Sequence, residues 1–269
     1  MNGWSNAAYK LESAISVDGK NLNKDAAARE KMKRAIVKYG AVTFSYNNVR
    51  EAYYYNPSKE SGSSPHACTI IGWDDTIPAE NFYPSKTTTD GGWLVKNSYS
   101  SLPYFYLSYE VTCEQIYAFD YVMNDKYDNN YFYDASATDS GIGSLLKIKQ
   151  AANVFKVKGD TENEWIKAVS VGIVGENTDC TVEVYSDVQD GSFNPQNAKL
   201  ETTKTVYLEY GGFNCIELDK PVEVKKGSTF AVVVKVNNAY ITLSENEGES
   251  YVYRGGWTPS QAVRIKVFT

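Results

Sequence analysis

The chain has 269 residues, 27 basic and 33 acidic side chains, one histidine and four cysteines, and a formal net charge of −6. Lysines and arginines scattered under an excess of acids do not make the clustered basic face that phosphate recognition needs, so nucleic acid is excluded and protein or glycan is the expected partner. No apolar run is long enough to span a bilayer, and the length fits two domains, each able to bury its own core.

The segment from Met1 to Gly19 lacks a basic stretch followed by an apolar one, so it does not read as a signal peptide. Asp25 to Tyr39 places Ala28, Met32, Ala35, Ile36 and Tyr39 at helical spacing, with Asp25 as N-cap and Gly40 as the stop. A strand is expected at Ala41–Tyr46, then a loop over Asn56–Pro65, where NPSKESGSSP leaves no apolar period. The apolar runs ACTIIGW, GWLVKN and YFYLSYE follow as strands. The Asp-, Asn- and Tyr-rich stretch from Asn124 to Asp139 marks a linker. Beyond it the apolar runs starting at Asn153, Trp165, Thr181, Thr205, Phe213, Ser228 and Val263 read as strands at the intervals of a β-sandwich. Much of the high tyrosine content, 22 residues, is then sheet filling.

The four cysteines, Cys68, Cys113, Cys180 and Cys215, form no C-x-x-C pair. With one histidine in the chain a structural zinc site is not expected. They fit two disulfides or four buried thiols, and a chain of this size does not need staples, which favours thiols. The sequence lacks H-E-x-x-H, G-x-S-x-G, P-loop and dinucleotide motifs, so imidazole acid-base chemistry at His66 is what remains. His66 stands where the loop meets the strand, a place from which a side chain projects from a rigid edge. A lone histidine at a strand start is also a common surface or core residue.

The segments SPHACTIIGWDD, GGWLVKNSYS and YFYLSYE together resemble the His and Asn motifs of the papain-like cysteine peptidases, and EKMKRAIVKYGAVTFSY resembles the helix and strand that precede them in that fold. The resemblance covers about Trp4 to Tyr121. It implies that His66 is the general base and acid, that Asn97 orients the ring, that Trp93 and Tyr99 form an aromatic shell around the Asn, and that Ala67 lies on one wall of the substrate pocket. The family has Trp after Asn-Ser and then Gly, whereas Tyr99 and Ser100 follow here. The family's nucleophilic cysteine sits at a helix N-terminus ahead of the histidine, and no cysteine precedes residue 68. Cys68, two residues along the strand from His66 and on the same face, has no helix dipole to lower its pKa and reads as a small core residue. The chain is therefore expected to be the His/Asn half of a larger peptidase, inactive by itself, acting on protein or peptide once the N-terminal helical half is supplied.

The second half is similar to the lectin-like domain that follows the peptidase domain in bacterial secreted or cell-surface members of that family. This implies a secreted or cell-surface location and a cell-wall or host glycan as a further partner. Trp257 or Tyr251 would stack on a sugar, unless they pack between the sheets. Asp128, Asp134 and Asp139 would hold calcium with backbone carbonyls, unless they belong to a solvated linker; no other cofactor or metal is expected. The expected organisation is an α+β peptidase half over residues 1–122, a linker over 123–138 and an all-β sandwich over 139–269. The competing reading is a non-catalytic surface or adhesion protein in which the peptidase fold is a scaffold and the sandwich binds glycan.

Overall fold

The computed structural model describes residues 8–19, 21–47, 53–54, 65–83, 87–134, 147–159, 161–189, 193–194 and 197–269. They fall into two compact units, residues 14–120 and residues 1–13 with 121–269.

Strand β1 (Tyr9–Val17) spans the division, and Ile15 and Val17 are buried in the first of these units. Helix α1 (Ala26–Tyr39) follows, then β2 (Val42–Asn47), β3 (Tyr53–Tyr54), β4 (Pro65–Asp74), a 3-10 turn at Ala79–Asn81, β5 (Gly92–Lys96), β6 (Tyr104–Ser108) and β7 (Glu114–Met123). Asp25 caps α1 by accepting from the Ala27 N–H at 2.9 Å, and Gly40, at φ +79, closes it with its N–H on the Ile36 carbonyl. Both ends are thus satisfied locally. Met32, Ala35 and Ile36 bury the apolar face of α1, which packs on β4 and β2. Lys33 is buried with them because its ammonium reaches Asp75 at 2.8 Å and Glu30 at 2.7 Å.

In this unit the strands lie in the order β3-β6-β5-β4-β2-β7. β4 pairs antiparallel with β2, where His66 faces Tyr46, and with β5 on its other side. The β5–β6 pairing closes at Lys96↔Tyr104, which puts Asn97 at the mouth of the connection, its N–H on the Pro103 carbonyl at 2.8 Å. Gly91 and Gly92 hold the start of β5. Gly91 has φ +94, and a Cβ there would stand 2.4 Å from the Tyr109 ring; one at Gly92 would stand 2.8 Å from the Leu107 carbonyl oxygen.

The second unit is a β-sandwich built from β8 (Asn130–Tyr131), β9 (Gln150–Lys156), β10 (Asn163–Val174), β11 (Thr178–Ser186), β12 (Lys199–Leu208), β13 (Gly211–Lys225), β14 (Thr229–Val236), β15 (Tyr240–Ile241), β16 (Ser250–Tyr253), β17 (Trp257–Ser260) and β18 (Ile265–Phe268). One sheet runs β13-β10-β18-β8 and the other β12-β11-β14-β9-β16-β17. Alternate residues of the two sheets meet in one core, with Val169, Val171, Ile216 and Ile265 from the first and Val182, Val184, Val232 and Val234 from the second. This is face-to-face sheet packing, in which period-two burial puts every other side chain inside.

The structure departs from the sequence expectations in four places. β1 and β7 are strands where no element was expected. Residues 124–134, expected to be linker, are partly built into the sandwich: β8 pairs with β18, and the Asp128 N–H donates to the Thr269 carbonyl at 2.7 Å. Residues 8–13 group with the sandwich, where Ser13 Oγ accepts from the Cys215 N–H. The short strands β15, β16 and β17 complete the sheets. The loop expected over Asn56–Pro65 lies outside the described residues except for Pro65, which opens β4.

Candidate functional site

His66 and Asn97, expected to act together, are brought together. The His66 Nε2 lies 2.9 Å from Asn97 Oδ1. Asn97 Oδ1 also accepts from the Ser98 N–H at 2.8 Å, and a backbone N–H can only donate, so the amide oxygen faces these partners. An oxygen has no proton to offer, so the His66 Nε2 must carry one and donate it. The neutral ring is then the Nε2–H tautomer, with the lone pair on Nδ1. A buried amide thus sets both the orientation of the imidazole and the atom at which it acts as a base.

The ring is held on its faces as well. Tyr99 stacks on it, with centroids 5.0 Å apart and planes 3° from parallel, and Tyr46 meets it edge-on at 5.8 Å. Of the two residues expected to form an aromatic shell, Tyr99 packs on the imidazole. Trp93 is buried and crosses Tyr109 at 4.7 Å. Tyr46 was not singled out in the sequence. The signal for it is its register on β2 directly opposite His66, which only strand pairing reveals.

Cys68 joins the same group, its thiol donating to the same Asn97 Oδ1 at 3.5 Å. Burial pushes this thiol above its ordinary pKa, against a hydrogen bond with Tyr46 that works the other way. The other three thiols are pushed up to about 12, each chiefly by burial. None has the depressed pKa of a thiol poised to attack. All four cysteines are free, and three of them, Cys68, Cys113 and Cys180, are buried. Ala67 is not part of the cluster. Its side chain is exposed, and strand alternation puts it on the opposite face from His66 and Cys68.

In the sandwich, Tyr251 is buried and packs on Phe193, while Trp257 is only partly covered and sits between Phe193 and Tyr253. Of the acidic residues expected to hold calcium, Asp128 pairs with Lys167 at 3.4 Å and buried Asp134 faces Lys266 at 3.8 Å. Asp139 lies outside the described residues, among which no group of three or more His, Cys, Asp or Glu is placed to hold a metal ion.

A family model described as a lectin-like domain matches residues 131–268, more than half of the chain. The chain belongs to the lectin-like domain family. The matched span opens at β8, so the lectin-like domain takes in part of the stretch expected to be linker. No curated protein sequence matches the chain. Among solved structures, the chain is similar to a variant of the clostridial cysteine protease Cwp84 after propeptide cleavage, with a TM-score of 0.70 and 22% identity over 97% of this chain and 70% of that one. It is also similar to the cysteine protease and lectin-like domains of Cwp84, a surface layer associated protein of Clostridium difficile, with a TM-score of 0.71 and 21% identity over 97% of this chain and 63% of that one. At such identities the likeness establishes a shared fold.

Proposed function

We propose that this chain carries the imidazole half of a papain-like cysteine endopeptidase active site, joined to its lectin-like domain, and that it works at the cell surface. The observation that carries the reading is the 2.9 Å contact of His66 Nε2 with an Asn97 oxygen whose identity the Ser98 N–H fixes. An imidazole held at Nε2 presents Nδ1 to a partner, the arrangement a thiol needs in order to lose its proton. The shared fold with a cysteine protease, together with the sequence motifs around His66 and Asn97, supports the same reading.

In this chemistry Nδ1 takes the proton of a thiol, and the resulting imidazolium keeps its Nε2–H on Asn97. The thiolate attacks the peptide carbonyl, and the imidazolium returns its Nδ1 proton to the leaving amine. Water, activated by the same nitrogen, then releases the acyl group and restores the thiol. The four thiols of this chain are all raised in pKa, so the nucleophile is assigned to a segment outside this sequence, on the helical half that the family's cleft requires. Protein or peptide is the substrate.

A second reading has its own observation. Because no thiol here is activated, a scaffold without catalysis, displaying the lectin-like domain to a glycan, fits the same structure. Labelling of the native protein with a thiol-directed epoxide separates the two. The peptidase reading expects a covalent adduct on a cysteine outside these 269 residues. Labelling should fall by ~10³-fold or more in His66→Ala, and by a smaller ~10–10²-fold in Asn97→Ala, where the base remains but its orientation is lost. Unchanged labelling in His66→Ala would remove His66 from the mechanism, and no labelling of the native protein would favour the scaffold.

A further inference from the structure

The side-chain amide of Asn97 has two ways to meet His66. With Oδ1 toward the ring it accepts from Nε2–H and leaves the lone pair on Nδ1. Turned over about its last torsion, it would offer Nδ2–H to Nε2 instead. The ring would then carry its proton on Nδ1, and the basic nitrogen would be lost. That torsion is broad and roughly two-fold in asparagine, so the choice falls to the neighbours of the amide.

Those neighbours all act on the oxygen. Oδ1 takes the His66 Nε2–H at 2.9 Å, the Ser98 N–H at 2.8 Å and the Cys68 thiol at 3.5 Å. Nδ2 is buried and has no hydrogen-bond partner among the described residues, so nothing on the nitrogen side sets the orientation. The three donors differ in what they fix. An imidazole donates or accepts at Nε2 according to its tautomer, so His66 follows the amide and does not direct it. The Ser98 N–H can only donate.

Cys68 is the second fixed donor. A thiol both donates and accepts in principle, and Tyr46 decides between the two. The hydrogen bond from Tyr46 favours the thiolate, so the hydroxyl donates to sulfur and the thiol hydrogen is left for Asn97. Burial, the larger influence, keeps this thiol above its ordinary pKa, so the hydrogen stays on sulfur at neutral pH. Strand pairing builds the arrangement. Tyr46 lies opposite His66 and Phe44 opposite Cys68 across β2 and β4, which makes Tyr46 the diagonal neighbour of Cys68, within reach of a long aromatic side chain. Cys68 is 7% exposed and Asn97 8% exposed, so water is poorly placed to replace the donor.

From this geometry we infer that Cys68 is a positioning residue: together with the Ser98 N–H, its thiol holds the Asn97 oxygen toward His66 and so keeps the ring in the tautomer whose Nδ1 is basic. The use of that tautomer in catalysis rests on the peptidase reading, whereas the lock itself lies wholly within this chain. In this role the sulfur is a donor and not the attacking atom. An aliphatic residue of similar bulk would fill the same space and leave the amide with one fixed donor.

Nitrogen-15 NMR of the full chain with the ring neutral tests the inference through the exchange of the His66 Nε2 proton with solvent. Cys68→Val keeps the bulk and removes the donor, and Cys68→Ala removes both. Loss of one hydrogen bond should speed the exchange by ~3- to 10-fold in each. An effect of packing alone would appear in Cys68→Ala and spare Cys68→Val. Cys113→Ala alters another buried thiol of the same unit, one that donates to the Val111 carbonyl, and should leave the exchange unchanged. The inference is overturned if Cys68→Val exchanges as slowly as the parent chain, or if Cys113→Ala exchanges as fast as the Cys68 variants. Either result, with a protected Nε2 proton in the parent chain, leaves the peptidase reading standing. A parent ring protonated at Nδ1 would overturn both.

Discussion

At the scale of single residues, the chemistry turns on what burial does to the thiols and what hydrogen bonding does to the imidazole. Burial raises Cys113, Cys180 and Cys215 to about 12 and moves Cys68 in the same direction. A raised thiol holds its proton longer in the folded state than in the unfolded one. The thiols therefore stabilise the fold fully below the ordinary thiol range, near pH ~8.5, and that contribution is lost as the pH climbs toward about 12. At pH ~8, iodoacetamide should modify all four more slowly than it modifies free cysteine, as read by mass spectrometry of the native protein. A position that reacted faster than free cysteine near neutral pH would reveal an activated thiol inside this chain. His66 and Asn97 were legible in the sequence because their motifs are contiguous and flank strands. Tyr46 and the Cys68–Asn97 contact were not, because they depend on the pairing of β2 with β4 and on how the β5–β6 connection folds back.

At the scale of elements, legibility followed local signal. Helix α1 announced itself through spacing, an Asp cap and a Gly stop, and the strands of the sandwich through apolar runs between turn residues. β7 hid because its exposed positions carry Tyr117, Tyr121 and Met123, so the apolar–polar alternation a strand is recognised by is absent from its sequence. The pair β16 and β17 hid because each is only four residues long, too short for a period to show. The glycines opening β5 illustrate a constraint visible only in three dimensions. Gly91 has a positive φ and would drive a Cβ into Tyr109 and toward the Asp74 carbonyl, whereas Gly40 has a positive φ with open space around it. Gly91→Ala should therefore cost about 2–4 kcal/mol, combining backbone strain with overpacking, and Gly40→Ala only about 1–2 kcal/mol from strain alone. Urea denaturation of the two variants measures the difference. Equal losses would mean that the packing around Tyr109 yields freely.

At the scale of the whole molecule, the chain divides into two compact units. The lectin-like domain is a sandwich whose two sheets share one core, with a second, smaller apolar cluster that includes Ala152, Ala231 and Val233. The other unit holds an imidazole between an amide and two tyrosines. What the sequence could not show was where the unit boundaries fall. Residues 8–13 join the sandwich through contacts far apart along the chain, such as Ser13 with Cys215 and Glu12 with Lys126 at 2.6 Å, and no local pattern encodes them.

The molecule contains a single histidine, so its entire imidazole spectrum belongs to His66. Nitrogen-15 NMR of the folded chain with the ring neutral is the most direct test that His66 is a base held by Asn97. The expected result is one Nε2–H tautomer whose proton is protected from exchange with solvent, with that protection lost in Asn97→Ala. A ring protonated at Nδ1, or a wild-type Nε2 proton that exchanges as fast as in the Asn97→Ala variant, would contradict the assignment.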